Sequence, residues 1–128
     1  MGQSSPSPQR NARLLRACER RYDRLRRRLA RIGYLAAGTI SVSRLPCGNP
    51  DCRCRRGPRF RHGPYYYWTT KVEGKTVSKL LKPDEARLYL RWITNRRRLD
   101  RTVQAMLEVS RDVAAVLLTR PDAFIPGR

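Results

Sequence analysis

The spacing of apolar residues changes twice along this chain, and this change limits the possible folds more than any other feature. From about Asn11 to Ile32, apolar side chains recur every three or four residues, the pattern of a helix that packs against another helix. Between Gly38 and Leu81 the alternation has a period of two, and helical spacing returns after Pro83. We therefore predict an α+β protein with a basic N-terminal helix, a three-stranded antiparallel sheet with a Cys-rich loop, and a long C-terminal helix that pairs with the first.

Local signals set the predicted boundaries. Gly33 is a suitable helix stop, Glu73-Gly74 a hairpin turn, and Pro83 followed by Asp84 a helix start. The predicted segments are a disordered tail at 1–9, a single domain at 10–120 (basic helix 10–33, Cys-loop and β-hairpin 38–82, long helix 83–119) and a second tail at 121–128. The binding role expected of this domain follows from its charge and its Cys-rich loop.

Each helix has a predicted apolar seam. The seam of the first helix contains Leu15, Cys18, Tyr22, Leu25, Leu29 and Ile32, and that of the second Leu88, Trp92, Leu99, Val103, Met106, Val113 and Leu117. A second helix of roughly 35 residues, at about 1.5 Å per residue, is longer than the first. The surplus length is compatible with a homodimer formed through the C-terminal helix.

The charge of the chain indicates a polyanionic partner. Lys and Arg total 29 against 10 Asp and Glu, so the formal charge of the 128 residues is +19. A polyanion relieves this self-repulsion, and nucleic acid adds the favourable release of condensed counterions. No apolar run approaches the roughly 18 residues of a membrane span, and no hydrophobic signal core follows Met1. We expect a cytoplasmic protein with no membrane association.

The connection between the first two predicted strands contains most of the unusual chemistry. Cys47, Cys52 and Cys54 are followed by His62, the single histidine of the chain. Three thiols and one imidazole are ligands that tetrahedral Zn²⁺ prefers, and a structural zinc would order a long loop that otherwise lacks secondary structure. The alternative is that the cysteines are loop thiols and that His62 caps the next strand. An iron–sulfur cluster needs a fourth thiolate, and Cys18 is better explained as a buried helix residue.

These residues form part of a longer pattern. The chain contains Ser-x-x-x-Cys-Gly-x-Pro-x-Cys-x-Cys, then His-Gly-Pro-Tyr-Tyr-Tyr-Trp, then Gly-Lys-Thr, all between Ile40 and Leu81. In this it resembles an uncharacterised family of small bacterial and archaeal proteins with a domain of unknown function. The resemblance implies that a characteristic site of the family is formed by Cys47, Cys52, Cys54, His62, Gly63, Pro64 and Tyr65. It also implies that the Arg-rich N-terminal helix lies outside the family match.

Basic and aromatic residues are the predicted contacts to nucleic acid. The arginine runs of both helices lack interspersed acids, whereas a surface that only confers solubility usually mixes charges of both signs. This pattern indicates that the arginines contact phosphates. Tyr66 and Trp68 share one strand face and, if exposed, provide a stacking platform for bases; the alternative is that both faces of the hairpin are covered. The predicted set is Arg20, Arg24, Arg27, Arg28, Arg31, Arg53, Arg55, Arg56, Arg59, Arg61, Tyr66, Trp68, Lys71, Lys75, Lys79, Arg96, Arg97 and Arg98.

We therefore expect a non-catalytic nucleic-acid-binding protein, with DNA favoured over RNA and a structural Zn²⁺. Accessory work beside a mobile-element recombinase or in transcription control suits such a protein. The alternative is a helical interaction module that docks an acidic protein. A nuclease is disfavoured because the carboxylates are scattered and no pair accompanies His62.

Overall fold

A computed structural model describes residues 7–118 of the chain. The predicted tail at 121–128 and most of the predicted tail at 1–9 lie outside these residues, while Pro8 and Gln9 belong to the first helix. The described residues form two compact units: one contains the chain up to Ile32 and from Arg98 onwards, and the other contains Gly33–Arg97. The binding role given to a single domain at 10–120 stays a prediction.

The first helix, α1, extends over Pro8–Ala30. Its start is fixed by Ser7, whose hydroxyl accepts a hydrogen bond from the backbone N–H of Arg10 at 3.2 Å. The helix ends before Gly33, the predicted stop, because the N–H groups of Arg31 and Ile32 donate to carbonyls three residues back. Such bonds tighten the last turn and end the regular helix before the glycine is reached.

In the first unit α1 packs against the C-terminal part of helix α2, which extends over Pro83–Leu117. Cys18, Leu25 and Val109 are buried at this interface. The helices are antiparallel, since grooves beside them combine early α1 residues with late α2 residues and late α1 residues with Arg98 and Thr102. The predicted pairing of the two helices is confirmed, and so is the seam of α1.

The predicted seam of α2 is wrong at two positions. Leu88 and Val103 are 41% and 40% exposed, whereas Thr102 and Val109 are buried. The first part of α2 packs against the sheet and the second part against α1, so no single seam continues along the whole helix. Burial of Thr102 is tolerated because its hydroxyl donates to the carbonyl of Arg98 at 2.8 Å.

The second unit contains the sheet and the first part of α2. Strands β1 (Thr39–Leu45), β2 (His62–Val72) and β3 (Lys75–Leu81) form an antiparallel sheet in the order β1-β2-β3. The three-stranded sheet is therefore confirmed. The hairpin between β2 and β3 turns at Glu73 and Gly74, with φ values of 50° and 78°, the left-handed pair that a tight two-residue hairpin requires.

Packing of aromatic rings joins the sheet to the start of α2 within this unit. The ring of Trp68 lies 4.7 Å from that of Tyr89, and Tyr89 lies 5.7 Å from Trp92. Leu81, Ala86 and Ile93 of the same unit are buried. The acidic first turn of α2 also caps itself, since Glu85 accepts from the N–H of Lys82. Among residues 7–118, no helix combines the length and apolarity needed to cross a membrane.

Candidate metal centre and its basic surroundings

The predicted metal ligands converge on one point at the edge of the sheet. Cys47 follows the end of β1, Cys52 precedes a one-turn 3-10 helix at Arg53–Arg56, and Cys54 lies in that turn. His62 is the first residue of β2. The Sγ atoms of the three cysteines and a ring nitrogen of His62 all lie within 4.8 Å of one another. The sequence spacing therefore identified a real spatial cluster.

Backbone hydrogen bonds hold the loop in this shape. The side-chain oxygen of Asn49 accepts a hydrogen bond from the backbone N–H of Asp51 at 3.0 Å. The backbone carbonyl of Asn49 accepts one from the N–H of Cys52 at 3.2 Å. This turn brings Cys52 back towards Cys47. The N–H of Cys47 in turn donates to the Sγ of Cys54 at 3.3 Å, the kind of outer contact that orients a thiolate ligand. The loop of nearly twenty residues, which we expected to lack secondary structure, contains this 3-10 turn and a second at Pro58–Phe60.

The distances within the cluster fit a tetrahedral ion. The Sγ atoms of Cys47 and Cys54 are 3.6 Å apart, and the Sγ of Cys52 lies 3.1 Å from Nε2 of His62. Ligands at about 2.0–2.3 Å from a tetrahedral Zn²⁺ lie roughly 3.3–3.8 Å from one another. Small adjustments would therefore place all four atoms around one ion. The cluster is a candidate metal-binding site with three thiols and one imidazole.

The electrostatics of the cluster favour a thiolate at Cys52. The backbone N–H of Cys54, together with hydrogen bonds to Cys47, His62 and the Cys54 thiol, lowers the pKa of Cys52 to about 6. The backbone N–H of Asn49 acts in the same direction on Cys47, but hydrogen bonds to Cys52 and Cys54 and partial burial outweigh it and raise the pKa of Cys47. One thiol is thus ready to bind a cation at neutral pH while its neighbour holds its proton until an ion displaces it.

Cys18 has no part in this cluster. Its side chain is 8% exposed and packs with Leu25 and Val109 between the helices. The prediction that Cys18 serves as a small buried hydrophobe is confirmed.

Arginines flank the four candidate metal ligands along the chain, and two of them pack on one aromatic ring. Arg53 and Arg59 place their guanidinium carbons 4.5 and 4.6 Å from the ring centre of Phe60. Sequence analysis missed Phe60, although an aromatic residue between Arg59 and Arg61 was a usable signal. The predicted contacts of the loop are all exposed: Arg53, Arg55, Arg56, Arg59 and Arg61.

The aromatic hairpin is half-buried, so neither predicted extreme describes it. Tyr66 and Trp68 are intermediate in exposure, as are the other aromatic residues of β2. Trp68 donates from Nε1 to the carbonyl of Ala37 at 2.8 Å, in addition to its packing on Tyr89. These contacts give Trp68 a structural role in joining the sheet to α2. Of the predicted lysines, Lys71, Lys75 and Lys79 are exposed along the hairpin.

The helical arginines divide into two groups. Arg20, Arg24 and Arg27 of α1 and Arg96 and Arg97 of α2 are exposed. Arg28, Arg31 and Arg98 line one groove together with Arg101, which the sequence analysis did not select. The fold therefore concentrates only part of the predicted set in one place.

Comparison with known proteins gives one match. No curated protein and no solved structure is similar enough to this chain to count as a relative. A family defined as a domain of unknown function, DUF6788, matches residues 15–90, which include most of α1, the whole sheet and the start of α2. The expectation that the Arg-rich helix lies outside the family match is therefore wrong from Leu15 onwards. Since the match covers more than half of the 128 residues, the chain belongs to the DUF6788 family of unknown function.

Proposed function

We propose that this chain is a non-catalytic nucleic-acid-binding protein, with DNA favoured over RNA, in which a structural Zn²⁺ presents a basic loop. One observation carries the proposal: the four ligand atoms within 4.8 Å of one another fold a loop whose five arginines are all exposed. No acidic residue occurs between Cys52 and Val72 to offset them. A loop of this charge is stabilised when phosphates neutralise it.

The donor set supports zinc over other ions. Three thiolates and one imidazole form a common structural zinc site, whereas Mg²⁺ and Ca²⁺ prefer oxygen ligands. An iron–sulfur cluster uses four thiolates, and the fourth cysteine is buried between the helices. Four protein ligands also complete a tetrahedron, so no position stays open for a reacting water. This closure supports a structural role for the ion and a non-catalytic protein.

Arginine is the residue best suited to phosphate. Its planar guanidinium donates in a fork that matches two phosphate oxygens, and it stays charged under all ordinary conditions. Contacts of this kind position a protein on nucleic acid without reading its sequence. We accordingly propose backbone recognition, with accessory work for a mobile-element recombinase or in transcription control as the setting that suits it.

The competing proposal is a module that docks an acidic protein through its helices. Exposed apolar residues on α2 give it some support, since Leu107 is 45% exposed and Val103 40%. The two proposals differ in their response to salt, because binding to nucleic acid releases a number of counterions fixed by the phosphates contacted.

The test is the affinity for a random-sequence duplex measured across a range of salt concentrations. We compare the wild type with Arg55→Gln/Arg56→Gln, and with Arg87→Gln/Arg91→Gln as a control that removes the same charge from exposed positions of α2. The logarithm of the wild-type association constant should fall linearly with the logarithm of the salt concentration. The loop variant should make this dependence less steep, reducing the magnitude of the slope by roughly 1.8, and the control should reduce it much less. Affinity that does not change with salt would overturn the proposal and favour the acidic protein partner.

A further inference from the structure

The helix pair has a second basic feature, separate from the metal-centred loop. A groove of about 490 Å³ runs between α1 and the C-terminal part of α2. Arg28 of α1 and Arg31, which caps the end of α1, line one side, and Arg98 and Arg101 of α2 line the other. The remaining lining residues are Leu25, Ile32, Thr102 and Ala105.

The charge of this groove has a single sign. Four arginines line it, and no acidic residue is among the described residues that line it. Two ion pairs of the helix pair, Arg21 with Asp112 and Arg26 with Asp23, involve none of these four arginines. Four cations gathered in one groove repel one another, and a bound anion removes that cost.

A comparison within the same helix pair shows that this arrangement is not a simple result of composition. A second groove, of about 510 Å³, is lined by residues that include Glu19, Asp23 and Arg26. Its charges therefore have both signs, although it lies between the same two Arg-rich helices. The positions of the arginines, and not only their number, make the first groove cationic.

The floor of the cationic groove is apolar. Leu25 is buried, Ile32 and Ala105 are half-buried, and the hydroxyl of Thr102 is already used in a bond to the carbonyl of Arg98. A ligand that fits must combine anionic groups for the rim with a flat or apolar part for the floor. A nucleotide unit with an unpaired base has both, whereas the bases of a duplex are stacked inside it.

We propose that this groove binds single-stranded nucleic acid, with backbone phosphates on Arg28, Arg31, Arg98 and Arg101 and an unpaired base over Leu25 and Ala105. The assignment rests on the proposed function and adds a second contact surface to it. The loop around the metal centre binds phosphates of either form of nucleic acid, and the groove adds affinity for a single strand.

The experiment compares two matched double variants. Arg31→Gln/Arg101→Gln removes one groove arginine from each helix, and Arg13→Gln/Arg111→Gln removes one exposed arginine from each helix outside the groove. Both are titrated with a short oligothymidine and with a duplex of the same length over a range of salt concentrations. Thermal unfolding without nucleic acid monitors the fold, and the groove variant should melt no lower than the wild type because repulsion is relieved.

The groove variant should bind oligothymidine on the order of tenfold more weakly than the wild type. The magnitude of the slope of log affinity against log salt should decrease by about 1.4. The control variant should change the affinity and the slope by less than half as much. The groove variant should lose less affinity for the duplex than for oligothymidine. Equal losses in the two variants would overturn the groove assignment while the proposed function stands. Equal losses on the two probes would overturn the preference for a single strand, and a wild type that binds neither probe would overturn both proposals.

Discussion

The Sγ of Cys52 lies 3.1 Å from Nε2 of His62, although ten positions of chain separate the two residues. Cys52 belongs to the turn that precedes the first 3-10 helix, and His62 is the first residue of β2. An ion held by this pair therefore ties the basic loop directly to the sheet. The position of the loop arginines would then depend on metal binding, because metal affinity contributes to folding free energy at such a site.

Removal of a ligand should release the metal and destabilise the second unit. Cys52→Ser and His62→Ala should each reduce bound zinc from one equivalent to well below half. Each should also lower the free energy of unfolding by at least about 3 kcal/mol, since a lost metal is among the largest single-residue effects. Metal analysis of protein purified without added metal, with thermal unfolding of the same samples, measures both quantities.

Cys18→Ala is the matched control for these variants. It removes a thiol that packs between the helices, so it should cost about 1 kcal/mol and leave one equivalent of zinc bound. Full zinc content in Cys52→Ser and His62→Ala would show that the cluster is not the metal site.

Gly63 is the backbone position on which the placement of His62 most depends. Its φ is +123°, and a Cβ there would lie 2.8 Å from the carbonyl oxygen of Ser43. Gly63→Ala should therefore displace the start of β2, weaken zinc binding at least about tenfold and lower stability by roughly 1–3 kcal/mol. Competition with a zinc-binding dye measures the first effect and chemical denaturation the second.

Gly48→Ala provides the comparison within the same loop, because nothing lies within 4 Å of the Cβ it would add. It should leave zinc affinity nearly unchanged. If the two variants bind zinc equally well, the close approach of β1 to Gly63 does not position the ligand.

Sequence patterns predicted features that depend on short segments. The hairpin turn at Glu73 and Gly74 follows from local conformational preference, and the convergence of Cys47, Cys52 and Cys54 from a short loop with a turn at Asn49. Such features need little information about distant parts of the chain.

Features that depend on packing between distant segments were harder to predict. The seam of α2 was wrong at two positions because the helix packs on the sheet in its first part and on α1 in its second. Arg101 was missed because only the antiparallel pairing places it beside Arg31. The packing of Trp68 was not predicted either, because a strand pattern shows which side chains share a face but not what covers that face. The structure gives the cover as Tyr89. The contact of Trp68 with nucleic acid stays a prediction.

The revised seam of α2 can be tested by truncating one buried and one exposed valine. Val109 is 0% exposed in the helix pair, so Val109→Ala should lower the free energy of unfolding by roughly 1–3 kcal/mol. Val103→Ala, at a position 40% exposed, should change it by less than about 0.5 kcal/mol. Urea denaturation followed by circular dichroism distinguishes them, and a larger loss for Val103→Ala would restore the seam predicted from sequence.

The structural role of Trp68 predicts that its replacement lowers stability but leaves the affinity for nucleic acid nearly unchanged. Trp68→Phe removes the hydrogen bond from Nε1 to Ala37 and some of the contact with Tyr89, and should cost about 1–2 kcal/mol. Affinity for nucleic acid should stay within about twofold, because base stacking would require an accessible ring face. A variant that keeps its stability but loses affinity would instead support the stacking platform.

The most direct test of the account is the salt dependence of duplex binding, measured for zinc-loaded protein and for the same protein after chelation. The log affinity of the zinc-loaded form should fall linearly with log salt. Chelation should make this dependence less steep, reducing the magnitude of the slope by roughly 2–3, because the loop arginines lose their fixed positions. Equal slopes and affinities in the two forms, with zinc removal verified, would contradict the claim that a metal-ordered basic loop contacts the phosphates.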